Sequence, residues 1–448
     1  MSVGKTGSGG WALATAAALA IVAALAPAPA GAGIVTSRTA GSATPAPDST
    51  RAQAGVAAAA DSAARSAADS TRAMGAVTPV PERSPLVDDL WVVRTSLLSP
   101  ADIPRIIAAA ESMGVHGLLV QVVGRGDAYY RSDLLPRAEA LPGSRDSGLD
   151  FDPLGDLLAR AHAAGLQVHA WVNCLLVWSA PQRPSDPRHV VNAHPEWIAR
   201  GRDGRRLSEY RARERRRLGL EGVFLAPAHP GVRTWLAQVA KEIVERYPVD
   251  GVHLDYIRQP GVPIGFDPTT RARFALESGV DPRRMALIPA GRRAEVAAQW
   301  ASFQRAQVTA TVREVRDSIE RTRPGVALSA AVLADTLAAR NVHAQPWTEW
   351  VREGLLDRAY AMCYAPTVQT VMDQLVGYST EFSARGRVVP GIAVYNTSPA
   401  LAAAKILGAR ALGFPRLALY SYDSLEQSSG YWPELRGRLE AAAENGRP

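Results

Sequence analysis

The sequence predicts one closed (β/α)8 barrel (a TIM barrel), on the basis of three observations. From about residue 90, eight short apolar runs alternate with helical patterns in strict order, which is typical of a parallel barrel. The chain has 448 residues, of which 47% are hydrophobic and 21% charged, so it has ample length for a large core. No Gly-x-Gly-x-x-Gly turn follows any strand, so the open doubly wound sheet, which is the alternative, has little support.

The first 85 residues contain two segments that we expect to lie outside the barrel. Residues 1–31 combine Lys5, an uncharged run from Trp11 to Ala26 and a small-residue stretch, which is the pattern of a secretory signal peptide. An uncleaved N-terminal anchor is the alternative. Residues 32–85 are rich in Ala, Ser, Thr, Pro and Gly and predict a low-complexity linker. We therefore expect export to the periplasm, cell envelope or extracellular space, no integral membrane association after cleavage, and a barrel over 86–448.

The barrel elements follow from β-branched apolar runs for strands, and from amphipathic segments flanked by Pro and Gly for helices. The predicted strands are 90–96, 117–123, 166–173, 250–256, 326–332, 358–364, 388–394 and 416–422. The predicted helices are about 99–113, 152–164, 232–246, 293–321, 347–353, 368–384, 399–411 and 433–444. Long insertions follow the third and fourth strands. In a barrel these insertions lie at the face that forms the substrate cleft.

The fourth predicted strand carries the first candidate catalytic group. Because side chains alternate along a strand, Gly251, His253 and Asp255 share one face. A strand buried on both sides normally carries hydrophobes on both faces, so this polar face is unusual. Asp255 falls at the C-terminal end, where barrels carry their chemistry. The structural alternative is an aspartate that caps the next turn or pairs with Arg258.

Polar and aromatic residues also occur at or near the C-terminal ends of other predicted strands. Such a mixture suits sugars, because aromatic rings stack on pyranose faces while amides and carboxylates bind hydroxyls. Each residue also has a structural alternative: an amide can satisfy buried backbone groups, a histidine can be a bonded core residue, and a tryptophan can fill the core. The candidate substrate-binding residues are Gln121, Arg125, Asp127, His169, Trp171, Asn173, His253, Arg258, Tyr364, Tyr422 and Asp423.

Glycoside cleavage usually needs a second carboxyl group. Asp335 ranks first because it follows the fifth strand, whose end lies beside that of the fourth. Asp127 and Asp423, after the second and eighth strands, are alternatives. We expect Asp255 to act as nucleophile or base and the second carboxyl group as acid. The acids of the first insertion also remain open: Glu196, Asp203, Glu209, Glu214 and Glu221.

Charge and cysteine content exclude several classes of function. The formal net charge is +7, and eight arginines lie between Arg202 and Arg217. Such a run is usually a solvated loop and less often an anchor for an anionic polymer; without an aromatic-rich basic module, nucleic acid is not an expected partner.

Cys174 and Cys363 form no disulfide framework, although one structural disulfide is an alternative. No metal-binding, Walker or Gly-x-Ser-x-Gly motif occurs, so we expect neither metal nor cofactor.

Several ordered motifs resemble those of one family. They are Gln-Val-Val-Gly-Arg-Gly-Asp-Ala-Tyr-Tyr at 121–130, Gly-Leu-Gln-Val-His-Ala-Trp-Val-Asn at 165–173, Tyr-Pro-Val-Asp-Gly-Val-His-Leu-Asp-Tyr at 247–256 and Gly-Leu-Leu-Asp-Arg-Ala-Tyr-Ala-Met-Cys-Tyr at 354–364. Together they resemble the bacterial glycosyl-hydrolase-like family 10, over roughly 90–425. The resemblance implies a TIM barrel, export to the cell envelope and action on a carbohydrate. Some members are thought to cleave peptidoglycan glycan strands stripped of their peptides.

The resemblance also bears on the site. It implies that Asp255 is the matching acidic position, and that Gln121, Arg125, His169, Asn173 and Tyr364 lie in matching motifs. The family often has two acids at the end of strand four, whereas here Tyr256 follows Asp255. The sequence therefore predicts an exported glycoside hydrolase that acts on a polysaccharide, such as a glycan strand. The alternative is a barrel that binds cell-wall glycan without cleaving it.

Overall fold

The structure is a computed structural model that describes residues 86–141, 151–381 and 385–445. The expected signal peptide at 1–31 and linker at 32–85 lie outside the described residues.

Eight parallel strands pair in chain order and close into a barrel, which confirms the predicted fold. The eighth strand pairs back with the first through Asp89 and Leu90. All strand C-terminal ends therefore meet at one rim, and Asn173 lies directly opposite Asp255 there. The strands are β1 (Asp89–Val92), β2 (Gly117–Val123), β3 (Gln167–Asn173), β4 (Gly251–Asp255), β5 (Ala327–Leu333), β6 (Arg358–Cys363), β7 (Val388–Ala393) and β8 (Ala418–Tyr420).

Helices pack outside the barrel and within the insertions. They are α1 (Asp102–Met113), α2 (Pro153–Ala163), α3 (Val190–Ala193), α4 (Ala212–Arg217), α5 (Pro230–Arg246), α6 (Pro268–Ser278), α7 (Ala290–Thr322), α8 (Thr336–Asn341), α9 (Trp347–Arg352), α10 (Val368–Glu381), α11 (Pro399–Ala411), α12 (Tyr422–Glu426) and α13 (Tyr431–Asn445). Short 3₁₀ turns occur at Arg94–Ser96, Pro195–Trp197, Leu207–Glu209, Pro282–Leu287 and Arg385–Arg387. The eighth strand is shorter than expected, because the chain turns at Ser421 and Tyr422 begins α12.

Alternation along the strands divides the core in two. Aliphatic residues such as Leu90, Val120 and Val252 belong to the large cluster that the surrounding helices cover. The opposite strand faces fill the barrel interior with larger and partly polar side chains. The interior cluster comprises Trp91, Leu119, Trp171, Tyr360, Val389 and Ala418.

Buried hydrogen bonds and ion pairs stabilise the end of the barrel that carries the strand N-termini. Tyr360 and Arg416 each donate to the carboxylate of Asp89, at 3.0 Å and 2.9 Å. Arg410 forms an ion pair with Asp88 at 2.9 Å. These contacts connect β1 with β6 and with the chain around β8. Because this end carries the strand N-termini, we interpret the network as structural.

The two insertions contact each other. The first forms a two-stranded antiparallel sheet, Leu176–Trp178 with Val223–Phe224, which the sequence did not predict. Gly201 of the first insertion forms a bridge with Ile264 of the second. Both insertions follow strand C-terminal ends, so they lie at the rim that carries Asp255.

The two cysteines, Cys174 and Cys363, are buried free thiols, so they form no disulfide with each other. Within the described ranges, no three His, Cys, Asp or Glu side chains are grouped as a metal ion requires. In the same ranges, none of the helices combines the length and the apolar character that crossing a membrane demands.

Candidate active site

The site is built around Asp255, the last residue of β4. Its side chain is buried, with the residue only 7% exposed. One carboxylate oxygen, Oδ1, accepts the backbone N–H of Tyr256 at 2.6 Å, and Oδ2 accepts the indole N–H of Trp171 at 3.1 Å. Tyr256 has a φ of 48°, in the left-handed region that a bulky residue rarely adopts. Such backbone strain directly after a buried acid is typical of functional sites.

The environment of Asp255 favours its protonated form. The pKa of this carboxyl group is raised to about 6, chiefly because burial disfavours the charged state, and the charge of Glu221 contributes in the same direction. Arg258 and the hydrogen bonds from Tyr256 and Trp171 act in the opposite direction but do not cancel the effect of burial. A carboxylic acid that still holds its proton near pH 6 can donate it to a leaving group.

Glu221 supplies a second carboxyl group beside Asp255. Its oxygens accept hydrogen bonds from both Nη atoms of Arg258, at 3.2 Å and 3.1 Å. They also accept one from the hydroxyl of Tyr256, at 3.2 Å. Arg258 is itself buried, and its guanidinium lies over the ring of Tyr256 at 4.6 Å. The side chain of Glu221 is 28% exposed and therefore reaches solvent. The two carboxyl groups thus have different surroundings: Asp255 is enclosed, and Glu221 is ion-paired and open to solvent.

A chain of hydrogen bonds crosses the rim from β1 to β4 and fixes Trp171. Arg94 donates to Gln121 at 2.8 Å, and Gln121 donates to Asn173 at 3.2 Å. The indole N–H of Trp171 is shared between Asn173 and Asp255, at 3.0 Å and 3.1 Å. The predicted residues Gln121, Trp171 and Asn173 are therefore brought together with Asp255. Their visible role is to orient one another and the carboxyl group.

Trp171→Phe should raise the pKa of Asp255 further. The substitution removes a hydrogen-bond donor that favours the ionised carboxylate. A pKa change of about 1 unit corresponds to about 1.4 kcal/mol of difference in free energy between the two protonation states. If Asp255 acts as an acid, the high-pH limb of kcat/KM should move to higher pH. Trp350→Phe is the matched control, since this equally buried indole bonds Thr309 away from the rim. An identical pH profile for Trp171→Phe and wild type would show that the indole does not act on Asp255.

A cluster of aromatic rings also lies at the rim, and Tyr420 of this cluster contacts Trp171. Tyr364 packs against Tyr420 with ring centroids 5.1 Å apart, and each lies 6.5 Å or less from Trp91. Tyr395 joins this group and is 38% exposed. The charge of Asp255 contributes to raising the pKa of Tyr364 and of Tyr420, so both hydroxyls are within its electrostatic reach. The partly exposed rings of Tyr364, Tyr395 and Tyr420 can form the apolar wall of a sugar-binding cleft.

Asp335, the expected second catalytic acid, has a different environment. Its side chain is exposed and caps the N-terminus of α8 by accepting the N–H of Ala338 at 2.8 Å. No contact in the described part of the chain joins Asp335 to Asp255, Tyr256 or Arg258. Its catalytic role stays a prediction, which the variants described in the Discussion test against Glu221.

The two predicted histidines lie inside the barrel. His253 is fully buried; its Nε2 accepts the indole N–H of Trp91 at 3.2 Å, and its Nδ1 bonds Ser329 at 2.9 Å. Burial lowers the pKa of His253 well below its ordinary value, and that of His169 to about 4, so both rings are neutral. His169 also lies against Gly251, where an added Cβ would come within 2.2 Å of the ring. Their role as sugar-binding residues stays a prediction, and their contacts are those of core residues.

The remaining predicted residues lie at two other places. The guanidinium of Arg125 lies over Trp178 at 5.9 Å, and Asp127 accepts the N–H of Arg125 at 2.9 Å. Tyr422 and Asp423 line a small cavity of about 170 Å³ between α1 and α12, and Asp255 does not line it. Tyr422 donates to Glu426, and Asp423 accepts from Ser421. Substrate binding by these four residues stays a prediction.

Several site residues were not among the candidates that the sequence pattern indicated. Glu221 was only one of five open acids in its insertion, and Arg94, Tyr395 and Tyr420 were not selected. The other four insertion acids are partly or fully exposed and pair locally, for example Glu209 with Arg206. The available signal for Glu221 was its place immediately before the apolar run 222–226, which leads the insertion back to the barrel.

The site combines a buried acid and a second carboxyl group at the C-terminal rim of a barrel. Glycoside hydrolases use sites of this class. Residues 91–398 match the family described as glycosyl hydrolase-like 10, and the chain belongs to that family. The chain is 25% identical over 284 residues to the glycosyl hydrolase DigH of Escherichia coli K12, covering 57% of this chain and 56% of that protein. It is 25% identical over 153 residues to the glycosyl hydrolase YngK of Bacillus subtilis, covering 34% of this chain and 26% of that protein.

The chain thus spans about half, or less, of the length of these relatives. Among solved structures, the glycoside hydrolase domain of PgaB from Bordetella bronchiseptica aligns with a TM-score of 0.59 and 15% identity, covering 79% of this chain and 98% of that one. The catalytic domain of a β-amylase from Paenibacillus polymyxa aligns with a TM-score of 0.55 and 11% identity, covering 81% and 99%. At these identities the two structures establish the fold.

Proposed function

We propose that the protein is an exported glycoside hydrolase that cleaves a polysaccharide, in particular peptidoglycan glycan strands stripped of their peptides. The observation that carries this proposal is the pair of carboxyl groups, Asp255 and Glu221, at the barrel rim. Tyr256 donates to both groups, and Arg258 donates to Glu221. Family membership supports the reaction class. The choice of glycan follows from the family resemblance, and export from the signal-like pattern in residues 1–31.

In this mechanism Asp255 is the proton donor. Its enclosed carboxyl group holds a proton near pH 6 and delivers it to the glycosidic oxygen as the bond to the anomeric carbon breaks. Glu221 has a charged partner in Arg258 and is open to solvent. We assign Glu221 the second role, in which it attacks the anomeric carbon or activates the water that does so, from the side of the sugar opposite the proton donor. This assignment reverses the roles expected from the sequence, because the environments of the two groups differ.

The test is to incubate the protein with peptide-free glycan strands and to measure new reducing ends and product masses. Hydrolysis adds one water per cleaved bond, so the products should carry free reducing ends. Anhydro products would instead indicate a lyase-type reaction. Sedimentation with the glycan but no new reducing ends would replace the proposal with the glycan-binding alternative. For export, N-terminal sequencing of secreted protein should find a start near residue 31 and not Met1.

A further inference from the structure

The loop that follows β4 (residues 256–260, the β4 loop) carries the residues that contact both Asp255 and Glu221. Tyr256 donates to both carboxyl groups, and Arg258 donates to Glu221. With a φ of 48°, the backbone of Tyr256 has a conformation that persists only where surrounding contacts determine it. The geometry of the carboxyl pair therefore depends on what fixes this loop.

The segment that follows the neighbouring strand β5 (residues 334–346, the β5 loop) contacts the β4 loop through His343. The N–H of Gln259 donates to the C=O of His343 at 2.8 Å. In return, Nδ1 of the half-buried His343 ring bonds the C=O of Gln259 at 2.9 Å. The two residues thus exchange two hydrogen bonds, one from the backbone and one from the imidazole.

The residues next to His343 connect this contact to the barrel. Gln345 is fully buried, and its Oε1 accepts the N–H of Leu333 at the end of β5, at 2.9 Å. Among the non-glycine residues that the structure describes, Ala344 and Tyr256 are the two with a positive φ. One strained residue therefore lies in each of the two loops that contact each other.

The hydrogen bond from His343 also defines its tautomer. A carbonyl oxygen only accepts, so Nδ1 carries the proton, and Nε2 carries none in the neutral ring. The pKa of His343 is lowered, chiefly by burial, and the charge of Arg258 contributes in the same direction. The charge of Glu221 acts in the opposite direction. His343 is therefore within electrostatic reach of the ion pair between Arg258 and Glu221, and its neutral form is favoured there.

We infer that His343 is a positioning residue, whose Nδ1–H fixes the β4 loop and thereby the geometry of Asp255 and Glu221. The inference rests on the proposed function, because it assigns His343 to the same pair of carboxyl groups. The two groups must lie on opposite sides of one glycosidic bond, and a displacement of about 1 Å can lower a rate about 10²-fold. In this role His343 acts through the loop and not on the sugar.

Three substitutions separate the hydrogen bond of His343 from its bulk. His343→Asn places an amide N–H close to the position of Nδ1, where it can still donate to Gln259. His343→Gln places the amide close to the position of Nε2, and His343→Leu has no donor. The measurements are the hydrogen-exchange rate of the Gln259 N–H and steady-state kinetics on peptide-free glycan strands. The exchange rate reports opening of the loop without any turnover.

We expect His343→Leu to exchange the Gln259 N–H about fivefold faster than wild type, because one of the two paired hydrogen bonds is lost. Its kcat and kcat/KM should both fall about 10–100-fold, since the geometry matters mainly in the transition state. His343→Gln should resemble His343→Leu, whereas His343→Asn should retain most of the protection and activity. His162→Leu is the control and should change neither quantity, because His162 bonds Asp250 at the opposite end of the barrel.

Three outcomes would overturn the inference. Unchanged exchange in His343→Leu would show that the imidazole does not fix the loop. Faster exchange with unchanged kcat would show that the loop does not determine the rate. Equal losses in His343→Asn and His343→Leu would show that bulk, and not the Nδ1–H, is what matters. A failure of the proposed function is distinct, since the wild type would then release no reducing ends, while the exchange rates would still decide whether His343 fixes the loop.

Discussion

Asp255→Asn should lower kcat on peptide-free glycan strands by about 10²–10⁴, because the amide cannot donate the proton that the leaving group needs. The loss should come from catalysis and not from folding. In the folded protein the pKa of Asp255 is raised to about 6. The free energy of unfolding of the wild type therefore falls as pH rises from the ordinary pKa of a carboxyl group through 6. A neutral amide at this position avoids that fall. The measurements are steady-state kinetics and urea unfolding at pH 8.

For this variant we expect unfolding at pH 8 to occur at an equal or higher urea concentration than in wild type. A fall in activity together with a large fall in unfolding midpoint would point to a structural role instead. Activity equal to that of wild type would remove Asp255 from the mechanism. The pH profile separates the roles further: if Asp255 is the acid, kcat/KM of the wild type declines above about pH 6.

Glu221 is the second residue with a large expected effect. Glu221→Gln should reduce kcat by about 10²–10⁴. It also leaves the buried guanidinium of Arg258 without its anion, and breaking a buried pair can cost about 3–5 kcal/mol, less where one partner reaches solvent. Glu221→Asp separates the two effects. It keeps the negative charge near Arg258 but withdraws the carboxylate by one methylene, so activity should still fall about 10²-fold while most of the stability is retained.

Asp335→Asn provides the comparison for Glu221. Asparagine is about as good a helix N-cap as aspartate, so α8 should stay intact. If Glu221 is the partner of Asp255, Asp335→Asn should keep nearly full activity. The reverse pattern, with full activity in Glu221→Asp and loss in Asp335→Asn, would assign the second carboxyl group to Asp335 as the sequence predicted.

The fold could be predicted from the sequence because it depends on local signals. The predicted strands 117–123 and 166–173 match strands of the structure to within one residue, and Pro and Gly bound several helices as expected. Because parallel strands place their C-terminal ends at one rim, alternation along β4 was enough to select Asp255. The short sheet within the first insertion was not predicted. Its strand Val223–Phe224 has two residues, too few for a periodic pattern.

The second carboxyl group could not be selected from the sequence. Strand adjacency placed Asp335 next to Asp255, but an N-cap turned its side chain toward the backbone of α8. Glu221 reaches the rim only because its insertion folds back, and its contacts with Tyr256 and Arg258 join residues 35 and 37 positions apart. Such contacts depend on tertiary packing. The histidines illustrate the same limit, since only the packing around Trp91 and Ser329 shows that His253 lies inside the barrel.

The pairing of Asp255 with Glu221 is tested most directly by titrating the Asp255 carboxyl carbon by NMR, with Asp255→Asn used for assignment. We predict a pKa of about 6 for Asp255 in the wild type and a lower pKa in Glu221→Gln. It falls because the substitution removes a like charge and leaves Arg258 to act on Asp255 alone. Asp335→Asn should leave the pKa of Asp255 unchanged. An Asp255 pKa near 4 in the wild type, or one that does not change in Glu221→Gln, would contradict the paired site.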